Sequence, residues 1–263
     1  MTIEVKRRSY YEINTILENR HDLILKNNPI VASLIEEILE YSFYLSDAMN
    51  ALFHEESKQT GKILEGPKSL IPILYDRNNH YIMASYKLAM LGLNNPSNSI
   101  MRVVFEGITQ IYLLHLTTKE AELFYKKQLD LLTDPEKEVW KTTYRYLPPR
   151  MVRNILYCEP KKTQMTDFYT VLSNTSHPSI IGAIGDIELK DEIVMDTLSG
   201  ILALGISNII AFNEIYSDKY NTKTIYAINN LLDKVTNQMK DQMIDIVPNN
   251  PSFTARLKYA FKS

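Results

Sequence analysis

Apolar side chains along this chain recur at three- and four-residue spacing almost throughout, the period of helices buried on one side. From Tyr10 to about Lys26 the positions Ile13, Ile16, Leu17, Leu23 and Ile24 form one such face. Asn28-Pro29 then supplies an N-cap and a first-turn proline for a second helix. Its apolar face is Val31, Leu34, Ile35, Ile38, Leu39, Tyr41, Leu45, Met49 and Leu52. Ser57 to Pro72 holds Gly61, Gly66 and two prolines and reads as a loop with a short turn. A helix is expected from about Asn79 to Leu93, and Asn95-Pro96 starts the next. In that helix Ile100, Met101, Val103, Val104, Phe105, Ile108 and Ile111 to Leu114 leave only a narrow polar stripe of Arg102, Glu106, Thr109 and Gln110. A helix apolar on nearly every side is a central one.

The second half continues the pattern. Thr117-Thr-Lys-Glu120 is a capping box, Thr133-Asp-Pro-Glu136 starts a further helix, and Pro148-Pro149 breaks the chain before a short helix through Tyr157. A helix is expected from about Gln164 to Ser176, a β-like piece over Ile180–Asp186, and a long helix from Leu189 to Tyr216. That helix carries small residues at Gly200, Ala203, Ser207 and Ala211, a stripe along which another helix can approach closely. Helices over Lys223–Ile246 and Pro251–Phe261 complete the chain. No fixed-period repeat or linker divides it. The reading is one all-α, multi-helix domain over residues 1–263, with an N-terminal helical pair over 1–60 packed against it.

Composition sharpens this. Only 8 glycines occur, too few for the turns of a many-stranded β fold. A lone Cys158 rules out an intrachain disulfide and any multi-cysteine metal site, and fits a reducing, cytoplasmic setting. The first residues lack the apolar segment of a secretory signal. The uncharged run from Thr197 to Asn213 falls short of a membrane span and reads as a core helix, so no membrane partner is expected. A net charge of −2 does not mark a strong polyanion binder.

Two polar groupings could carry chemistry. Tyr169, Ser173 and His177 follow at i, i+4 and i+8 on one helix side, and Pro178 makes His177 a helix terminus. Arg102 and Glu106, also four apart, can pair within the central helix. The pair either bonds locally as a structural element or lines one pocket with His177; spacing leaves both readings open. If the chain is an enzyme, His177, Arg102 and Glu106 are its catalytic candidates, and Tyr169, Ser173 and Asn174 join them in binding. No Gly-x-Ser-x-Gly elbow surrounds Ser173, which argues against serine-hydrolase chemistry. Glu18-x-x-His21 is one copy of a motif that carboxylate-bridged metal sites use twice, so no metal and no cofactor is expected. Lys141 to Lys162 is locally basic and interleaved with Tyr144, Tyr146 and Tyr157. Its Arg145, Arg150 and Arg153 are candidate contacts for RNA or a nucleotide, with a solvated helix face as the other reading.

Ile100-Met-Arg-Val-Val-Phe-Glu106, then Tyr112-Leu113 and Ala121-Glu-Leu-Phe-Tyr125, followed by Tyr169-x-x-Leu-Ser173-x-x-x-His177-Pro-Ser179, resembles a group of all-helical microbial proteins distantly similar to HEPN domains. The motifs span about Ile100 to Ser179, within an implied core of about residues 95–218. The resemblance implies a helical, often dimeric protein whose arginine, glutamate, serine and histidine lie near one another. The chain lacks the arginine followed by four to six residues and a histidine that active HEPN ribonucleases carry.

The expected function is a cytoplasmic binding or regulatory protein with a polar pocket near Arg102, Glu106 and His177, linked to RNA or nucleotide and forming a homodimer. A metal-independent ribonuclease and a purely structural protein dimerising through the small-residue stripe are the alternatives.

Overall fold

The computed structural model describes residues 9–60, 66–116, 118–143, 149–176, 191–216 and 222–239. Ser9 opens helix α1 (Tyr10–Asn27) with a full capping box: its backbone N–H donates to Glu12 Oε2 at 2.7 Å, and the Glu12 N–H donates to Ser9 Oγ at 3.2 Å. Only Ile24 of this helix is buried, while Ile13 and Leu23 stay 45% and 50% exposed. Asn28, expected as the N-cap of the next helix, turns its side chain back and donates from Nδ2 to the Ile24 carbonyl at 3.1 Å. Its own carbonyl accepts from the Ala32 N–H and so starts helix α2 (Pro29–Thr60).

The expected face of α2 is buried at Val31, Leu34, Ile35, Ile38, Leu39, Leu45 and Met49. The helix continues through Ser57, where a loop was expected. After a 3-10 turn (Pro67–Leu70), helix α3 (Ile71–Met90) begins well before Asn79. Pro72 does not prevent this, because a first-turn residue has no intrahelical N–H bond to lose. Gly92, at φ 74, ends α3: its N–H donates to the Ala89 carbonyl, and the Leu93 N–H donates to the Leu88 carbonyl. A left-handed residue is required in this Schellman closure, and glycine takes it without steric cost.

Helix α4 (Asn94–His115) is the centre. It packs against α3, α5 (Lys119–Gln128), α7 (Pro149–Leu156), α8 (Lys161–Ser176) and α9 (Asp191–Tyr216). Val104, Phe105, Ile108, Ile111, Tyr112, Leu113 and Leu114 are all fully buried on it. Thr109, expected in the polar stripe, is also buried, and its hydroxyl donates to the Glu106 carbonyl at 2.8 Å. The cap of α5 is Thr118, whose Oγ1 accepts from Ala121 N–H, one position later than the expected box. Helix α6 (Asp134–Thr143) starts at the expected place, with Glu136 accepting from Thr133 N–H and from Lys126 Nζ.

On the other side, α2, α3 and α9 pack together, and α10 (Thr222–Met239) lies against α2. α9 spans enough apolar chain to cross a membrane by length and composition, more than its charge-free run suggested, but 72% of that window is buried inside the protein. It is a core helix. The small-residue stripe faces the chain's own helices: Ala203, Ser207 and Ala211 are buried, and a Cβ on Gly200 would stand 3.4 Å from Met101 Sδ. That stripe is therefore not a free dimer face. The fold is all-α, with no strand among the described residues. The expected β-like piece and the last expected helix lie outside them.

Candidate functional site

Arg102 and Glu106 sit one turn apart on α4, where α7 and α8 cross it, and they do pair. Arg102 Nε donates to Glu106 Oε1 at 3.1 Å and also reaches the Tyr169 hydroxyl oxygen at 3.1 Å. Tyr169, from α8, donates its hydroxyl to the same Glu106 Oε1 at 2.8 Å. The three groups form a closed triangle, with the Arg102 and Glu106 side chains 29% and 27% exposed. Phe105, the residue before Glu106, packs its ring 5.6 Å from Phe168 and 6.0 Å from Tyr169, which fixes α8 against α4.

Two further arginines converge here from other helices. Arg153 of α7 is only 4% exposed, and its guanidinium lies 4.4 Å from the centre of the Tyr169 ring, with Arg102 at 5.1 Å from the same ring. Such contacts attract a cation to the electron-rich face. Arg77 of α3 lies across Gly107, the residue after Glu106. A Cβ on Gly107 would stand 2.9 Å from Arg77 Nη2 and 2.2 Å from Asn78 Oδ1. No other residue leaves room for both side chains between α3 and α4.

Electrostatics follows from this crowding. Burial pushes the Arg153 pKa down, and Tyr169, Tyr157 and Glu106 oppose that push while Arg150 adds to it. Burial likewise lowers Arg77, against the attraction of Tyr81 and Glu106. For Arg102 burial is outweighed by its bonds to Glu106 and Tyr169, so its pKa rises. Burial and the Glu106 carboxylate raise the Tyr169 pKa, keeping its hydroxyl protonated as a donor. Guanidinium groups stay charged under such perturbation. Arg77, Arg102 and Arg153 thus share one glutamate, with Arg150 adding a further positive charge near Arg153.

Several donors in this cluster are unspent. Arg77 Nε, Arg153 Nε and Nη1, and the Ser173 hydroxyl one turn beyond Tyr169 are buried without hydrogen-bond partners. A buried polar group left unpaired costs on the order of 1–3 kcal/mol, more if charged.

The structure thus joins Arg102, Glu106, Tyr169 and Arg153, with Ser173 on the same helix as Tyr169. Arg150 is exposed at the start of α7, and Asn174 is exposed near the end of α8. His177 and Arg145 lie outside the described residues. Of the basic stretch, Arg153 and Tyr157 are buried and Lys141 pairs with Glu138 at 3.0 Å, so these three are not a free basic and aromatic surface. Glu18 accepts from Asn14 and His21 meets Asp22, and no metal-ligating group of His, Cys, Asp or Glu occurs among the described residues. Sequence reasoning missed Arg77. Its available signal was Gly107, a glycine inside an apolar helix directly after a charged residue, which marks a close approach.

Elsewhere, a cleft of about 260 Å³ between α5 and α6 is lined by Lys119, Glu122, Leu123, Pro135, Glu136 and Val139. Lys126 and Thr133 hold Glu136 well below the usual carboxylate range, at about 2. This is a hairpin lock, with its carboxylate already saturated by donors. Comparison of the chain with protein-family models, with curated proteins and with solved structures found no match.

Proposed function

We propose that the chain is a binding protein with a regulatory role, and that its ligand site is the Arg102, Glu106 and Tyr169 triangle with Arg153 beside it. The ligand class is a nucleotide or RNA, which supplies the anionic groups an arginine cluster recognises. The observation that carries the reading is that Arg102 bonds Glu106 while Arg153 on the Tyr169 ring and Arg77 beside Gly107 both feel the attraction of that same carboxylate. A purely structural ion pair needs one arginine, and Arg102 already fills that role.

Titration of the full chain with fluorescent single-stranded RNA, and competition by nucleotides, tests this. Binding that weakens in Arg102→Ala supports it; absence of binding to both ligand types sinks it. RNA cleavage during the titration, lost in His177→Ala, would replace it with the ribonuclease reading, in which His177 acts with Arg102. The lone Cys158 suits a reducing, cytoplasmic setting. Self-association as a dimer belongs to the same reading and draws support from α1, where Tyr10 and Tyr11 are 84% and 79% exposed beside Ile13. Light scattering over a dilution series reads it, and a persistent monomer removes it.

A further inference from the structure

We infer that this cluster recognises a terminal phosphate monoester, which Arg77 and Arg153 bind through guanidinium donors that no protein group uses. The inference rests on reading the cluster as the ligand site. Arg102 has its Nε committed twice, to Glu106 and to Tyr169. Glu106 Oε1 in turn accepts from both of them. That triangle is complete in itself and holds Glu106 and Tyr169 in place.

Arg77 and Arg153 differ. Arg153 is 4% exposed, and its Nε and Nη1 find no acceptor; Arg77 Nε is buried and finds none either. Arg153 is tied to the triangle through the Tyr169 ring at 4.4 Å, and Arg77, which crosses α4 at Gly107, is drawn by the Glu106 charge. Buried, unpaired guanidinium groups are stabilised by an anion that accepts from several of their N–H groups at once.

The charge count selects the anion. Beyond the Arg102 and Glu106 pair, Arg77 and Arg153 leave two positive charges, with the exposed Arg150 adding to the field, the complement of a phosphate monoester near neutral pH. The depth selects its position in the ligand. A group as enclosed as Arg153 is reached by the end of a molecule more readily than by a phosphate within a continuous backbone. Base stacking on Tyr169 is disfavoured, because its ring already contacts Arg102, Arg153 and Phe105. The phosphoryl group can belong to a free nucleotide or to the end of an RNA strand, and the same chemistry would hold either.

The test is calorimetric titration of the full chain with 5′-AMP, adenosine, and one short single-stranded RNA carrying either a 5′-phosphate or a 5′-hydroxyl. The phosphorylated member of a pair should bind at least about tenfold more tightly, the loss expected when charge-assisted hydrogen bonds go unmade. The pair with the larger preference identifies the source as nucleotide or strand end. Arg153→Gln and Arg77→Gln should each abolish most of that preference. Arg77, less deeply buried than Arg153, keeps the test decisive if the Arg153 variant does not fold. Equal binding of phosphorylated and unphosphorylated ligands, still dependent on Arg102, overturns the phosphate inference and leaves the binding site standing. Wild-type preference in the Arg77 variant, or in a folded Arg153 variant, also overturns it. Absence of binding by every ligand removes both readings.

Discussion

The Tyr169 hydroxyl donates to Glu106 Oε1 at 2.8 Å, joining two helices through residues 63 positions apart in the chain. The bond makes one residue do two things. Its hydroxyl completes the triangle with Arg102, and its ring receives the Arg153 guanidinium.

Those two roles separate in Tyr169→Phe. The ring and its packing on Phe105 remain, while the bond to a charged carboxylate is lost. The variant should be destabilised by about 1–2 kcal/mol in urea unfolding. Combined with Glu106→Gln, the losses should be less than additive, because both changes act on one bond. Strict additivity would show that the hydroxyl works elsewhere.

Gly107→Ala should lose about 1–3 kcal/mol, the usual cost of overpacking. Its Cβ would fall 2.2 Å from Asn78 Oδ1. Asn78 cannot retreat freely, since its Nδ2 donates to Asn208 Oδ1 at 3.0 Å inside the core. Because Arg77 crosses the same glycine, the variant should also weaken binding at the arginine cluster. A stable variant with unchanged binding would mean that α3 and α4 do not meet as closely as described.

Asn208→Ala should cost about 2–4 kcal/mol. Asn208 joins α9 to α3 by accepting from Asn78 and donating to Asn79 Oδ1 at 2.8 Å, and all three side chains are fully buried. Truncation leaves a donor and an acceptor stranded in the core, each at about 1–3 kcal/mol. A loss under about 1 kcal/mol would indicate that water enters and replaces the amide.

Stability should fall on acidification through His115. Burial, helped by the positive charge of Lys68, lowers its pKa from 6.5 to about 4 in the folded chain. Below about pH 6.5 the unfolded chain takes up a proton that the folded chain refuses. The stability is therefore complete above that pH and is lost between about 6.5 and 4, to a total of about 3 kcal/mol. His115→Gln should lack this part of the slope. Parallel pH profiles of wild type and variant would contradict the assignment.

Much of the architecture was legible in the sequence. The face of α2, the central character of α4 and the Arg102 to Glu106 pair all follow from helical spacing, which sets neighbours at i+3 and i+4 whatever the rest of the chain does. Element starts were less legible. α3 begins at Ile71 and α8 at Lys161, both earlier than expected, because first-turn prolines and polar residues do not resist helix where neighbouring packing favours it.

What the sequence by itself determined is thus local: an all-helical chain, its buried faces, and one ion pair on its central helix. Tertiary structure alone decided that Arg153 turns inward onto Tyr169 and that Arg77 passes over Gly107. It likewise decided that three asparagines meet across the core and that the small stripe on α9 is used within the chain. The physical reason is range. Helical periodicity repeats within a few residues and leaves its mark on the sequence, whereas a partner on another helix is selected by how whole faces pack, which no local spacing records.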